Sequence, residues 1–277
     1  MTIKLAVVQP KTHYGEGNDK KNLLEALAHV DEAAKGGTDI IFFPETYPGP
    51  WRMPITWSPI PDLQAKAKEH SVYIIAGAAE NSIKNPKRHN LVHYIIDRNG
   101  ELVGKYRRTS PYSPWAYLGG PLWNLDYEEC DELPVFDTEF GKIGLLICSE
   151  VYVPELARIL ALKGAEIIFM PAGGMKVDLQ NTWGTLIFAR AIENLAYVAT
   201  TQCIFGVEEG LAMVASPEEI VLKESKPGIY RVEMDLDRVR WLREQKDDIK
   251  YPLPWKTKPG IFHQWRRPEL YKRLLEK

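Results

Sequence analysis

The sequence predicts an α/β protein in which helices cover sheets of buried strands. Runs of nearly continuous apolar residues, such as Ile40–Phe43, are typical of strands that are buried on both faces. Stretches with helical spacing lie between such runs. In Asn22–Lys35 the apolar side chains recur every three or four residues, and Gly36-Gly37 follows where a left-handed cap would end a helix. Asn99-Gly100, between two further strands, is a strong hairpin signal. Alternating helices and strands, mixed with hairpins, indicate a layered α/β architecture.

The same criteria assign the elements along the chain. Helices are predicted at Asn22–Lys35, Asp62–His70, Pro154–Lys163, Thr182–Asn194 and Asp237–Arg243. Strands are predicted at Ile3–Gln9, Ile40–Phe43, Tyr73–Ala78, Leu91–Asp97, Leu102–Tyr106, Ile143–Cys148, Ile167–Met170, Tyr197–Cys203, Leu211–Ala215, Ile220–Glu224 and Tyr230–Asp235.

Two segments resemble each other. AAKGGTDIIFFPE (Ala33–Glu45) and ALKGAEIIFMPA (Ala161–Ala172) share a helix end, Lys-Gly, an acidic residue, Ile-Ile-Phe, an apolar residue and proline. Two ordinary helix-to-strand connections would explain the likeness, since each needs a glycine at the cap. Pseudo-symmetric halves of one domain would explain it equally well.

Composition narrows the class of protein. The chain has 277 residues, of which 45% are hydrophobic and 26% charged, and a formal net charge of −2, so neither nucleic acid nor a membrane surface is an expected partner. Apolar runs such as Ile167–Ala172 are too short to span a bilayer, and the N-terminus lacks a signal-peptide pattern. Cys130, Cys148 and Cys203 show no CxxC spacing, and the histidines show no ligand spacing. We therefore expect a cytoplasmic protein without a metal or other cofactor.

The C-terminal segment differs from the rest of the chain. From about Gln245 the sequence is rich in proline, basic residues and tryptophan, as in YPLPWKTKPGIFHQWRRPEL. Proline-rich segments do not build sheet interior, and exposed aromatic residues need a surface to cover them. We expect one domain over residues 1–244 and a C-terminal arm over residues 245–277. The arm would pack on a partner subunit or on its own.

Three polar residues interrupt apolar strands. Glu45 directly follows IIFFP, Lys105 lies within ELVGKYRR, and Cys148 ends its own strand. Taken singly, Glu45 and Lys105 could form an ion pair at a sheet edge, and Cys148 could be a small buried hydrophobic residue. Together they form a set suited to nucleophilic acyl chemistry, in which a thiolate attacks, a carboxylate transfers the proton and an ammonium stabilises the oxyanion.

Four motifs in order carry a resemblance to the nitrilase superfamily of carbon–nitrogen hydrolases, closest to its amidase-like branches. They are FFPETYPGP, GKYRRTSP, IGLLICSEVYVPE and ARAIENLAYV. The resemblance implies a four-layer αββα sandwich. It implies Glu45 as general base, Lys105 as the transition-state lysine and Cys148 as the nucleophile, with a lowered thiol pKa. It also implies pairing through the helices that follow the cysteine and Arg-Ala-x-Glu-Asn motifs, with tails that reach across the dimer.

The chain departs from the family pattern at one position. Many amidases of this superfamily read Lys-Tyr-Arg-Lys-x-x-Pro-x-x-Pro-x-Glu, and this chain ends the corresponding stretch with Ala116. The resemblance implies that the missing glutamate would position the substrate. Glu150 could take its place, or it could be a helix N-terminal carboxylate that faces the dipole.

Aromatic side chains follow the Glu45 and Lys105 strands. Trp51, Tyr112 and Trp115 are expected to wall an acyl or nitrile pocket, although aromatic residues also fill ordinary loops. Arg190 and Glu193, three residues apart on a helix, are expected to form a structural salt bridge.

The expected activity is hydrolysis of a carbon–nitrogen bond in a small amide through a thioester on Cys148. Nitrile hydrolysis and acyl transfer to an amine are alternatives within the enzyme class. A binding protein that has lost chemistry at Ala116 is the alternative outside it. A homodimer or a higher homo-oligomer is expected.

Overall fold

A computed structural model gives the fold of the protein. It describes residues 1–13, 17–50, 55–109, 127–174, 180–206, 209–244 and 266–272.

The first of two six-stranded sheets contains the first and the last strand of the described residues. Its order is β12-β1-β2-β3-β4-β5. The first three strands in the chain run parallel to one another, and the remaining ones join them antiparallel. The strands are β1 Thr2–Gln9, β2 Ile40–Phe42, β3 Tyr73–Asn81, β4 His89–Ile96, β5 Leu102–Arg107 and β12 Gly228–Asp235.

The second sheet repeats this plan. Its order is β11-β10-β9-β8-β7-β6, with a parallel triplet β7, β8 and β9 flanked by antiparallel strands. The strands are β6 Val135–Thr138, β7 Gly141–Leu145, β8 Ile167–Phe169, β9 Tyr197–Thr200, β10 Ala212–Ala215 and β11 Ile220–Glu224.

Helices cover the outer faces of both sheets. Val30 and Leu63 pack with Ile41 on the first sheet, and Trp183 and Leu160 belong to the core of the second. The helices are α1 Asn18–Ala34, α2 Ile60–His70, α3 Pro154–Leu162, α4 Gln180–Asn194, α5 Leu236–Glu244 and α6 Pro268–Tyr271, and a 3₁₀ turn spans Cys148–Tyr152. The predicted α/β four-layer αββα sandwich is therefore confirmed.

The two resembling segments meet across the core. Strands β2 and β8, which carry Ile-Ile-Phe in each segment, are the middle strands of the two parallel triplets. Phe42 and Phe169 come from equivalent positions and contact each other, with ring centroids 4.8 Å apart. This equivalence agrees with the interpretation of pseudo-symmetric halves of one domain.

The structure differs from the sequence-based prediction in the strand before Cys148 and in one edge strand. The Cys148 strand ends at Leu145, so Cys148 stands beyond the strand and begins the 3₁₀ turn. The short edge strand Val135–Thr138 was not predicted, because its half-exposed residues form no apolar run.

The predicted arm over residues 245–277 lies largely outside the described residues. In the part of the chain that the structure describes, no helix has the length and apolar character needed to cross a bilayer.

Candidate active site

Glu45 and Cys148 follow parallel strands of different sheets and are anchored on one segment. The backbone N–H of Glu45 donates to the carbonyl of Ala172 at 3.4 Å, and that of Cys148 donates to the carbonyl of Pro171 at 2.7 Å. Pro171 and Ala172 end the second of the two resembling segments. The backbone N–H of Gly173, the next residue, hydrogen-bonds both the Glu45 carboxylate and the Cys148 sulfur. The end of β8 thus brings the two side chains together.

Two of the four described non-glycine residues with a positive φ angle lie at the same place. Thr46 and Cys148 have φ angles of 50° and 53°, in the left-handed region that residues with a β-carbon rarely adopt. Such strain persists only where the surrounding structure enforces it, and it clusters at functional sites. Gly77 allows the Glu45 turn to approach β3, because a β-carbon there would lie 2.4 Å from the Thr46 nitrogen.

The Glu45 carboxylate accepts a hydrogen bond from the Cys148 thiol. Glu45 is only 2% exposed. Burial raises the pKa of this carboxyl, while the Arg108 charge and the Cys148 hydrogen bond act to lower it. Burial also raises the pKa of the Cys148 thiol to about 12, and the Glu45 charge adds to the increase. The predicted lowering of this thiol pKa is therefore wrong: the resting site holds a neutral thiol beside a carboxylate.

The expected position of Lys105 beside Cys148 is also wrong. Lys105 forms an ion pair with Glu80 and lies over the Tyr94 ring, with its ammonium nitrogen 5.4 Å from the ring centroid. Its neighbour Tyr106 points into the core between the sheets and donates to Glu150. Because successive side chains of a strand point to opposite faces, Lys105 lies on the face of the first sheet that is turned away from the site.

Arg108 occupies the place expected for the lysine. Its Nη1 donates to Oε1 of Glu45 at 3.0 Å, and its Nη2 donates to Oγ of Ser149 at 2.5 Å. Its backbone N–H donates to the carbonyl of Leu91 at 2.9 Å, which fixes the end of β5. The family pattern could have predicted this position. The second lysine of Lys-Tyr-Arg-Lys aligns with Arg108 of this chain. This chain therefore replaces an ammonium with a guanidinium, a planar fork that can hold two partners at once.

Glu150 is buried, and its carboxylate holds neighbouring segments together through hydrogen bonds instead of facing a substrate. Its carboxylate accepts hydrogen bonds from the hydroxyl of Tyr106 at 2.8 Å and from the backbone N–H of Ile147 at 2.6 Å. The backbone N–H and hydroxyl of Thr109 donate to the same carboxylate at 2.8 and 2.6 Å. The side chain has no exposed surface. The expectation that it contacts substrate in place of the missing glutamate is therefore not met, and it instead joins the end of β5 to the cysteine turn.

The remaining predicted residues divide into two groups. Trp51, Tyr112 and Trp115 lie outside the described residues. The predicted salt bridge between Arg190 and Glu193 is confirmed, with Nη1 and Oε1 2.8 Å apart. The same guanidinium donates twice to the carbonyl of Val151, at 3.1 and 2.9 Å, so it holds the 3₁₀ turn on α4.

A surface cluster brings three possible metal ligands together. Asp31, Glu69 and His70 offer ligand atoms that lie within 4.8 Å of one another on α1 and α2. Lys66 already pairs with both carboxylates, at 2.6 and 2.9 Å, so a cation balances their charge. This arrangement is an ordinary ion-pair network between two helices.

Comparisons with known proteins agree with the fold. The carbon–nitrogen hydrolase family model matches residues 4–244. A deaminated glutathione amidase of Synechocystis is 28% identical over 254 residues, covering 84% of this chain and 93% of that protein. A nitrilase of Pyrococcus abyssi is 28% identical over 270 residues, covering 90% and 96%. A crystal structure of a carbon–nitrogen hydrolase from Helicobacter pylori G27 superposes with a TM-score of 0.79 at 24% identity, covering 99% of both chains.

Proposed function

Because the chain belongs to the carbon–nitrogen hydrolase family, which acts on amides or nitriles, we propose that it hydrolyses a small linear amide through a thioester on Cys148. The observation that carries this proposal is the hydrogen bond between the Cys148 thiol and the buried Glu45 carboxylate. A neutral thiol becomes a nucleophile when an adjacent base takes its proton during attack. Glu45 is that base.

Acylation requires one proton to move twice. Glu45 takes the thiol proton as the Cys148 sulfur bonds to the amide carbon, and the carbonyl oxygen becomes an oxyanion. Glu45 then gives the proton to the leaving nitrogen. The carbon–nitrogen bond breaks, ammonia or an amine departs, and an acyl thioester remains on Cys148.

Deacylation uses the same groups, with water as the nucleophile and the Cys148 sulfur as the leaving group. Glu45 takes a proton from water as the water oxygen attacks the thioester carbon. The carbon–sulfur bond breaks, the carboxylic acid product leaves, and the sulfur recovers its proton from Glu45. Each turnover therefore consumes one water molecule and needs no external oxidant or reductant.

Arg108 supplies the fixed positive charge of the site. A guanidinium keeps its proton throughout the accessible pH range, so Arg108 cannot act as the acid or the base. Its contact with Glu45 at 3.0 Å holds the carboxylate in place, and its charge stabilises negative charge that develops on the substrate.

The test compares two cysteine variants on a panel of short aliphatic amides, with release of ammonia as the readout. Cys148→Ala should abolish turnover of any amide that the parent hydrolyses, whereas Cys130→Ala, at a partly exposed thiol away from Glu45, should keep it. Full activity in Cys148→Ala would overturn the proposal. A parent protein that turns over neither amides nor nitriles, yet binds them, would instead identify a binding protein.

A nitrile is the second candidate substrate class. Ala116 stands where many amidases of the family carry a glutamate, and the nitrilase of Pyrococcus abyssi is among the relatives of this chain. A nitrile would give a thioimidate on Cys148 instead of a thioester. The two adducts differ in mass, so intact mass measurement after an acid quench separates the classes.

A further inference from the structure

Tyr127 is a buried residue that the reaction described above does not use. Its side chain is 1% exposed and packs with Ala79, Leu91 and Ile55. Its backbone forms an isolated bridge with His89 at the beginning of β4, and the carbonyl of that histidine accepts the next backbone N–H at 2.7 Å. The ring is therefore fixed by packing and by the backbone, independently of its hydroxyl.

The hydroxyl of Tyr127 has no hydrogen-bond partner among the residues that the structure describes. A buried hydroxyl without a partner disfavours folding, since it loses its hydrogen bonds to water and gains none. A phenylalanine would fill the same space without this penalty. The fold thus gives no reason for the hydroxyl. The buried hydroxyl of Tyr47 is in the same state, so the position of Tyr127 next to Arg108 is what distinguishes it.

The Tyr127 ring lies beside the strand end that carries Arg108. Leu91, against which the Tyr127 ring packs, accepts the backbone N–H of Arg108 at 2.9 Å. The charges of Glu45 and Arg108 and the thiol of Cys148 all act on the Tyr127 phenol. Burial raises its pKa well above the ordinary value, so the group stays a neutral O–H donor.

Arg108 also has a buried hydrogen-bond donor without a partner among the described residues. Two of its three nitrogens bind Glu45 and Ser149, while its buried Nε–H has no partner among the described residues. The two unpartnered donors belong to residues that both contact Leu91, and neither has an acceptor atom among the described residues of the resting protein. During acyl transfer, the carbonyl oxygen of the substrate becomes such an acceptor when it takes up negative charge.

We propose that the Tyr127 hydroxyl, with the Nε–H of Arg108, donates a hydrogen bond to the carbonyl oxygen of the substrate as Cys148 attacks it. The inference rests on the proposed function. Tyr127 keeps its proton throughout: its hydrogen bond strengthens when the carbon–oxygen double bond opens to an oxyanion and weakens when the bond forms again. It contributes to both acylation and deacylation, because both pass through a tetrahedral oxyanion.

The experiment uses the full-length Tyr127→Phe variant and Tyr47→Phe as its matched control. Tyr47 is equally buried and also has an unpartnered hydroxyl, but the groups that act on its phenol are Cys203 and Glu25 rather than Arg108. Loss of one oxyanion donor typically lowers kcat by about a hundredfold. We expect that loss in Tyr127→Phe with KM little changed, no such loss in Tyr47→Phe, and a melting temperature that is unchanged or higher in both.

Alkylation of Cys148 by iodoacetamide separates the oxyanion role from a structural one. Displacement of iodide forms no oxyanion, so Tyr127→Phe should keep the parent's alkylation rate while it loses amide turnover. Parent-like kcat in Tyr127→Phe would overturn the inference, as would an equal loss of alkylation and turnover. Turnover retained by Cys148→Ala would refute the proposed function itself, so the two failures are distinguishable.

Discussion

At the scale of single residues, Arg108 and Lys105 are two cations near the end of β5, and of these two only Arg108 contacts Glu45. Arg108 lies 3.0 Å from Glu45, whereas Lys105 pairs with Glu80 on the other face of the sheet. Replacing Arg108 removes a positive charge beside a buried carboxylate. Replacing Lys105 removes a partly exposed surface charge, which has little energetic weight.

Arg108→Gln should therefore lower kcat/KM by about a hundredfold or more, since it removes the charge that stabilises the oxyanion. It should also raise the pKa of Glu45, because the Arg108 charge acts to lower that pKa in the parent. Lys105→Gln is the matched control and should keep near-parental kcat/KM. Steady-state kinetics on one amide substrate decide between them. A larger loss in Lys105→Gln would restore the role expected from the motif.

The pH dependence of the reaction follows from Glu45. The base must be ionised to accept the thiol proton, and burial raises its pKa above the ordinary value of 4.5. The rising limb of kcat/KM should accordingly have its midpoint above 4.5, and activity should fall as pH drops through it. Because the pKa of the Cys148 thiol is about 12, ionisation of this thiol should not change kcat/KM near neutral pH. A pH–rate profile checks this, and a limb near the ordinary thiol pKa would contradict it.

At the scale of elements, Glu150 joins the strand that carries Arg108 to the turn that carries Cys148. Four donors from Tyr106, Thr109 and Ile147 converge on its carboxylate. Their contribution is to local geometry and stability, because the carboxylate has no exposed surface left for a substrate.

Glu150→Gln should consequently destabilise the protein by about 2–5 kcal/mol, because the new amide group directs hydrogens at donors that need an acceptor. Urea unfolding measures the change. Glu155→Gln, at an exposed position in the first turn of α3, is the control and should change the free energy of unfolding by less than about 0.5 kcal/mol. Equal stability of Glu150→Gln and the parent would contradict the bracing role.

Most elements could be predicted from the sequence because buried strands and amphipathic helices have distinct apolar periods. The site was predicted only in part. Both faces of β5 carry apolar and basic residues, with Val103 and Lys105 on one face and Leu102, Tyr106 and Arg108 toward the other. The sequence therefore does not show which cation faces the cysteine. The thiol pKa was mispredicted for another reason: burial outweighs the neighbouring positive charge, and burial depends on the whole fold.

At the scale of the whole molecule, the exposed apolar residues on and before α3 are the surface most suited to pairing. Tyr152, Val153, Ile159 and Leu162 are between 37% and 49% exposed, and the ring of Tyr152 packs edge-on against Trp183. Ile159 and Leu162 belong to α3, the helix after the cysteine motif, which is one of those through which the superfamily resemblance implies dimers. We propose a two-fold dimer through this face.

Ile159→Lys should shift the protein toward the monomer, because a charge would have to be buried in the interface. Leu24→Lys, at an exposed apolar residue of α1, is the control and should keep the parental mass in light scattering. A parent-like mass for Ile159→Lys would rule out this face. Truncation after Gln245 separately tests the predicted arm, which should weaken the oligomer if it reaches across the partner.

The whole account depends most on a covalent acyl group on Cys148, and rapid acid quenching followed by intact mass and peptide mapping measures it directly. An amide substrate and the p-nitrophenyl ester of the same acid are both used, because the ester acylates quickly and lets the intermediate accumulate. The account predicts one acyl adduct, confined to the Cys148 peptide and absent from Cys148→Ala. Turnover by the parent with no adduct on Cys148, together with amide turnover by Cys148→Ala at the parental rate, would contradict it.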